Sequence, residues 1–404
     1  MTDQTHSDGD GRNGSRRRSA STPEERSTAD EQSTASGRGG READYRHVVV
    51  FTGPEAVAVQ RRTADPVGPT EVRVETLTSG ISAGTELLVY HDEVPAEMPV
   101  DATLPAFDDD QFGYPVAYGY AAVGRVSACG RRVDDDWLGE RVFGFHPHAS
   151  QFTAEPSTLV RLPSSLSTTA AVMLPTVETA TTLVLDTAPR IGERIVVFGA
   201  GAVGLLTVAL LAEFPLAELV AVEPRPDRRQ RAAALGADTT LHPENVDRLG
   251  ERRAADEEPG MDAAVEISGN PGALNDAVGA VGYDGRVTVG SWYGEKPTEL
   301  DLGGSYHRDR IALESSQVST LAPDLRGRWT TDRRLSVALD HAERLPLESL
   351  VTHRLPFADA PRAYRLLAGT DDTETDDTGT DDTDQSPLQV VLEYETETDL
   401  GESA

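Results

Sequence analysis

Ten residues constrain this chain more than any other stretch: Ile195 to Gly204, I-V-V-F-G-A-G-A-V-G. Four apolar residues read as a buried strand, and the glycines that follow cut it off. Gly199 permits a sharp turn, Gly201 leaves backbone N–H groups open to a close ligand, and Gly204 lets a helix lie against the strand. The first turn of that helix, with Ala202 and Val203, presents partial positive charge that suits a diphosphate. A second strand, LVAVE, ends in Glu223, nineteen residues after Gly204, where a carboxylate can accept the hydroxyls of an adenosine ribose. The pattern predicts a dinucleotide site on a doubly wound parallel sheet. Glu223 favours NAD over NADP, because a carboxylate repels the 2′-phosphate. Arg225, with Arg228 and Arg229, pulls the other way, since an arginine just past the strand can accept that phosphate.

The surrounding segments agree with this reading. Residues 166–318 alternate helical and strand patterns: Ser167 to Leu185, then TVALLAEF, LVAVE, DAAVEIS, PGALNDAVGAV and GRVTVGS. Such alternation implies parallel strands joined by helices. Strand carboxyl ends line the cofactor crevice in such sheets. That places Ser268, Gly290, Ser291 and Ser316 among the cofactor-binding candidates, with Trp292 beside them as either a wall of the substrate pocket or a plug of the core. Residues 46–165 instead carry short Val-rich strands punctuated by Gly and Pro (HVVVF, EVRVETLTSG, AAVGRVSA, GERVFGF, LVRLP), which read as a small β-domain. Residues 319–396 return to it through two helical stretches and the strands LESLVTHRL and LQVVLEY.

Composition narrows the partners. The chain has 404 residues and a net charge of −31, with Lys296 its only lysine. Charge of this size repels itself unless salt screens it, so a salt-adapted protein is expected. No basic stripe could neutralise nucleic-acid phosphates, and no apolar run is long enough to cross a membrane as a helix. No signal segment is evident, so a cytoplasmic location is expected. The expected assembly is a homo-oligomer, a dimer or tetramer, acting on a small-molecule substrate. Residues 1–45 and 397–404 are too polar to bury a core and read as disordered tails. The Asp/Thr-rich run within 369–386 reads as a solvated acidic insert. Cys129 is the single cysteine, which excludes an intrachain disulfide and a multi-cysteine zinc site.

In combination, SGISAGTEL (79–87), YPVAYGYAAVGRV (114–126), GERVFGF (139–145), VVFGAGAVG (196–204), ALGAD (234–238), VTVGSWYG (287–294) and THRLPFADAPRAYRLL (352–367) resemble the medium-chain dehydrogenase/reductase superfamily, the zinc-type alcohol dehydrogenase relatives. The resemblance implies a Rossmann domain, a GroES-like catalytic domain and a cleft between them holding the nicotinamide. The Gly-Ile-Ser-x-Gly-Thr-Glu form, with YHRDRIALESSQV (306–318), is similar to a branch that includes bacteriochlorophyllide hydroxyethyl dehydrogenases. The zinc ligands of the superfamily are missing from their positions. Ser82 stands where a cysteine is usual, Tyr120-Ala121 replaces the His-Glu pair, the region of Leu174 and Pro175 has no ligand, and the four-cysteine loop is absent. No metal is therefore expected.

Without zinc, handling the substrate oxygen falls to side-chain donors. The resemblance puts Ser82 and Tyr120 at the reaction centre, with Thr85 on the same loop as Ser82. Tyr120 could equally be an aromatic packed beside Tyr114 and Tyr118. His146, in the H-P-H of FHPHAS, is a candidate acid/base because histidine titrates near neutrality, and His148 is its neighbour. Glu178 lies near the nicotinamide by the resemblance. Two functions remain: an NAD-dependent oxidoreductase acting on an alcohol, ketone or enone, and a nucleotide-binding redox sensor or structural homologue without turnover.

Overall fold

The computed structural model describes residues 44–95, 97–100, 106, 111–247, 249, 260–371 and 386–395. Residues 1–43 and 397–404 of the expected tails, and 372–385 of the expected acidic insert, lie outside them.

The first half contributes strands β1 (Tyr45–Gly53), β2 (Ala56–Thr63), β3 (Val72–Ile81), β4 (Val116–Ala117), β5 (Ala122–Cys129), β6 (Arg141–Gly144), β7 (Gln151–Ala154) and β8 (Leu159–Arg161). The second adds β9 (Arg194–Phe198), β10 (Glu218–Val222), β11 (Thr239–Leu241), β12 (Met261–Glu266), β13 (Val281–Val289) and β14 (Ala312–Ser315). The chain then returns with β15 (Val351–Pro356) and β16 (Gln389–Glu393).

Among the described residues these strands form three sheets. One is all parallel, in the order β11-β10-β9-β12-β13-β14. Its centre is β9, from which the chain crosses first to β10 on one side and later to β12 on the other. The end of β9 is thus the topological switch point, where ligands of such sheets sit. Ile195, Val196 and Val197 are fully buried, as a strand covered on both faces requires. The helix that follows, Ala202–Leu211, is buried nearly all round, so packing rather than an amphipathic pattern holds it.

The second sheet runs β15-β16-β3-β5-β6-β8, with β7 on the edge of β3. All its pairings are antiparallel except β15 with β16. The third, β2-β1-β4, closes against it. β2 was not among the strands expected from the sequence. Its residues AVAVQRRT are half-buried to exposed, and the apolar start AVAV runs on into the polar QRRT.

Helix Thr331–Ala342, within 319–396, packs on helix Leu174–Thr187. Its Ala338 and Ala342 join Val197, Leu205 and Leu206 in one core. The chain rejoins the antiparallel sheet only at β15.

Candidate active site

Helix Ala83–Tyr90 starts directly after β3, with Ser82 as its N-cap residue. The Ser82 hydroxyl does not cap the helix. It accepts a hydrogen bond from the phenol of Tyr120, and that phenol also lies 3.4 Å from Thr85 Oγ1. Ser82, Thr85 and Tyr120 therefore form one cluster of hydroxyls, each half-buried. Tyr120 follows Gly119, whose φ of +105° favours glycine. A Cβ at Gly119 would also lie 2.4 Å from the His148 ring. The Tyr120 ring packs edge-on to Tyr118 at 6.1 Å, while its hydroxyl stays in the cluster. Tyr114 instead gives its hydroxyl to the Val89 carbonyl.

Beneath the cluster lies a buried polar network that sequence reasoning did not assemble. Glu86 and His148 are both fully buried. Glu86 accepts from the Ser82 N–H at 2.7 Å and so satisfies the backbone donor of the N-cap residue. Its other oxygen lies 3.1 Å from His148 Nε2 and accepts from the Tyr364 hydroxyl at 2.5 Å. His148 Nδ1 meets Ser79 Oγ at 2.7 Å, and Ser79 in turn meets the Tyr394 hydroxyl at 2.9 Å. Burial and the neighbouring carboxylate push the Tyr364 phenol well above its ordinary value. The network fixes both segments that carry the hydroxyl cluster: the loop at Ser82 and, through the His148 ring over Gly119, the loop at Tyr120.

His146 is not part of this arrangement. Its ring stacks on Phe152 at 4.2 Å, and Nδ1 lies 3.0 Å from the Pro147 carbonyl. Burial holds its pKa down at about 4, so it stays neutral at physiological pH. Its charged neighbours include Arg46 and Asp65. Glu178 is also engaged elsewhere. Its carboxylate pairs with Arg334 at 2.9 Å, and both groups are buried.

The cofactor candidates gather along the carboxyl edge of the parallel sheet. Gly199 has φ +99°, and a Cβ there would meet the Ser268 backbone at 2.7 Å. A Cβ on Gly204 would stand 2.0 Å from the Gly199 carbonyl, so only glycine lets the helix approach. Gly201 faces open space at the N-terminus of helix Ala202–Leu211, which is where a diphosphate can approach. Glu223 is buried beside this loop, accepting from Ala200 N at 2.8 Å and Arg225 N at 3.0 Å. Ser268 donates to Glu266 through both N–H and hydroxyl, Gly269 N–H bonds Ser291 Oγ at 2.9 Å, and Gly290 N–H bonds the Glu266 carbonyl. Ser316 N–H bonds the Val289 carbonyl, and its hydroxyl bonds Asp186 at 2.6 Å. Glu266 was missed from sequence. It is a fully buried acid inside the run DAAVEIS, and that misfit of charge in an apolar strand was the available signal.

A row of rings joins the two halves. Tyr118 packs on Phe112 at 5.3 Å, and Phe112 on Trp292 at 6.1 Å. Trp292 remains 37% exposed. Next to it, Glu295 N–H bonds the Glu93 carbonyl and Lys296 pairs with the Glu93 carboxylate at 3.1 Å. The loop after β13 therefore rests on the catalytic half.

Metal-binding chemistry does not match the side chains of the hydroxyl cluster. Ser82, Thr85 and Tyr120 offer hydroxyls, where a zinc site needs sulfur, imidazole or carboxylate ligands. Among the described residues no three His, Cys, Asp or Glu side chains converge on a common point. Both nitrogens of His148 already have partners.

Comparison with known proteins completes the picture. Residues 202–332 match the family model described as Zinc-binding dehydrogenase. D-guloside 3-dehydrogenase of Escherichia coli K12 is 24% identical over 335 residues, spanning 78% of this chain and 94% of that protein. The 2-desacetyl-2-hydroxyethyl bacteriochlorophyllide A dehydrogenase of Rhodobacter capsulatus is 26% identical over 336 residues, spanning 79% and 93%. The crystal structure of a short chain alcohol dehydrogenase from Escherichia coli CFT073 with NADH matches with a TM-score of 0.67 at 17% identity, over 87% of this chain and 99% of that one. The parallel Rossmann sheet, the GroES-like β-domain and dehydrogenase relatives aligned along most of their length support the resemblance to the medium-chain dehydrogenase/reductase superfamily.

Proposed function

We propose that this protein is an NAD-dependent oxidoreductase acting on an alcohol or ketone, with hydroxyl donors rather than zinc at the substrate oxygen. The observation that carries this reading is the Ser82–Thr85–Tyr120 cluster of hydroxyls, in which Ser82 and Tyr120 stand, by the resemblance, where the superfamily has two zinc ligands. The dehydrogenase names of the relatives support the reaction class, and the NADH complex of the structural neighbour supports the cofactor class. When bound, the nicotinamide supplies or accepts the hydride.

The chain's own residues do the rest. Gly199, Gly201 and Gly204 shape a backbone cradle for the diphosphate, and Ala202 and Val203 open the helix behind it. Ser268, Gly290, Ser291 and Ser316 border the crevice. At the other end, Tyr120 and Ser82 aim two hydroxyls at a substrate oxygen. In this structure Tyr120 donates to Ser82, and both hydroxyl hydrogens can turn to a substrate oxygen that takes the place of Ser82 as acceptor. Such preorganised donors stabilise charge developing on that oxygen. A panel of alcohols, ketones and enones with NAD as co-substrate tests the reading; no turnover on any of them, with cofactor bound, would sink it.

Glu223 leads us to expect tighter binding of NADH than of NADPH. Titration of nicotinamide fluorescence measures both, and equal or better NADPH affinity would mean that exposed Arg225 governs the choice. Elemental analysis after dialysis in high salt is expected to find well under one zinc per chain. A full equivalent would return the substrate oxygen to a metal.

Salt adaptation belongs to the same proposal. A net charge of −31 is screened over about 8 Å at 0.15 M salt but about 3 Å at 1 M. The melting temperature should climb markedly as KCl rises into the molar range. A flat profile contradicts self-repulsion as the controlling term.

A further inference from the structure

One buried charge pair has no part in the chemistry above. Arg334, on helix Thr331–Ala342, is 2% exposed, and Glu178, on helix Leu174–Thr187, is 6% exposed. Arg334 Nε and Nη2 both donate to Glu178 Oε1, at 3.1 and 2.9 Å. The guanidinium is not used up by this pair. Nη2 also donates to the Val318 carbonyl at 2.5 Å, and Nη1 to the Thr320 carbonyl at 3.2 Å. All three guanidinium nitrogens are thus engaged, and two of them grip residues 316–320. That segment has no regular structure and leaves the carboxyl end of β14.

Its place in the sheet gives the grip a meaning. The adenosine end of the crevice lies toward β10, where Glu223 ends the strand. Strands β12, β13 and β14 lie on the other side of β9 and belong to the second mononucleotide half. Backbone following β14 therefore borders the nicotinamide end. A buried ion pair is weak evidence of stabilisation, since desolvation offsets its attraction. A pair that also holds two carbonyls of an irregular crevice segment has a geometric task.

Resting on the cofactor reading above, we propose that Arg334, oriented by Glu178, is a positioning residue that sets residues 316–320 against the nicotinamide half of the cofactor. The test compares NADH with ADP-ribose, which has the same adenosine and diphosphate but no nicotinamide. Arg334→Met risks a folding defect, because it strands the Glu178 carboxylate. The double variant Arg334→Met/Glu178→Met removes both charges, and Arg334→Lys keeps one. In the folded double variant, NADH affinity should fall roughly tenfold, the scale of one lost charge-assisted hydrogen bond. ADP-ribose affinity should hold, and the blue shift of bound NADH emission should shrink. Arg334→Lys should lie between wild type and the double variant. Equal losses for NADH and ADP-ribose, or none for either, would overturn the positioning role. If wild-type protein binds ADP-ribose and NADH with the same affinity and no change in emission, the nicotinamide reading itself fails, and this inference with it.

Discussion

Tyr120→Phe should lower turnover by at least roughly tenfold and up to about 10³, the range for loss of one preorganised donor, while NADH affinity stays unchanged. The ring is kept, so its edge contact with Tyr118 survives. What goes is the hydroxyl shared with Ser82 and Thr85. Ser82→Ala should cost less, because the Tyr120 hydrogen, released from Ser82, is free for the substrate oxygen. A purely packed Tyr120 gives the opposite result, since phenylalanine would fill the same space. Near-normal turnover in Tyr120→Phe would therefore move the donor role away from this residue. His146 is a poor substitute, stacked as it is on Phe152, so Ser82 and Thr85 would be examined next.

Glu86→Ala is the second large effect, and it falls on stability. The substitution strands the Ser82 N–H, the Tyr364 hydroxyl and the His148 ring, all gathered by one carboxylate with no exposure. Removing one partner of such a buried network costs about 3–5 kcal/mol. Urea unfolding should show the loss as a lower midpoint with an unchanged slope. Glu86→Gln keeps the volume and one acceptor oxygen, so it should lose clearly less. If Glu86→Ala and wild type unfold at the same urea concentration, water or a rearranged Tyr364 has replaced the carboxylate. Turnover would separate the network's two tasks: the Gln variant should fold well yet hold the Ser82 loop less firmly.

What could be read in the sequence follows a physical rule. The glycine fingerprint was legible because strand, turn and helix are adjacent, and each glycine has a local steric reason. The parallel sheet was legible because its strands are continuously apolar and alternate with helices. Ser82 and Tyr120 were found through family positions, and 38 residues separate them in the chain. No local pattern could have joined Glu86 to Tyr364, 278 residues away, or Glu178 to Arg334, 156 away. Burial decides such pairings, and burial of a lone polar residue leaves little trace in its neighbours. His146 shows the converse. Its H-P-H setting suggested chemistry, but the fold turned His148 into the polar core and His146 onto a phenylalanine face.

The contact through Lys296 has a practical consequence. The chain has one lysine and one cysteine. Lys296 is on the loop that leaves the parallel sheet and touches Glu93, while Cys129 ends β5 in the catalytic half. Apart from the amino terminus, an amine-reactive dye has a single target and a thiol-reactive dye has another. The unaltered protein thus carries an orthogonal labelling pair, one site in each half. Energy transfer between the dyes would follow the separation of the halves as cofactor and substrate arrive.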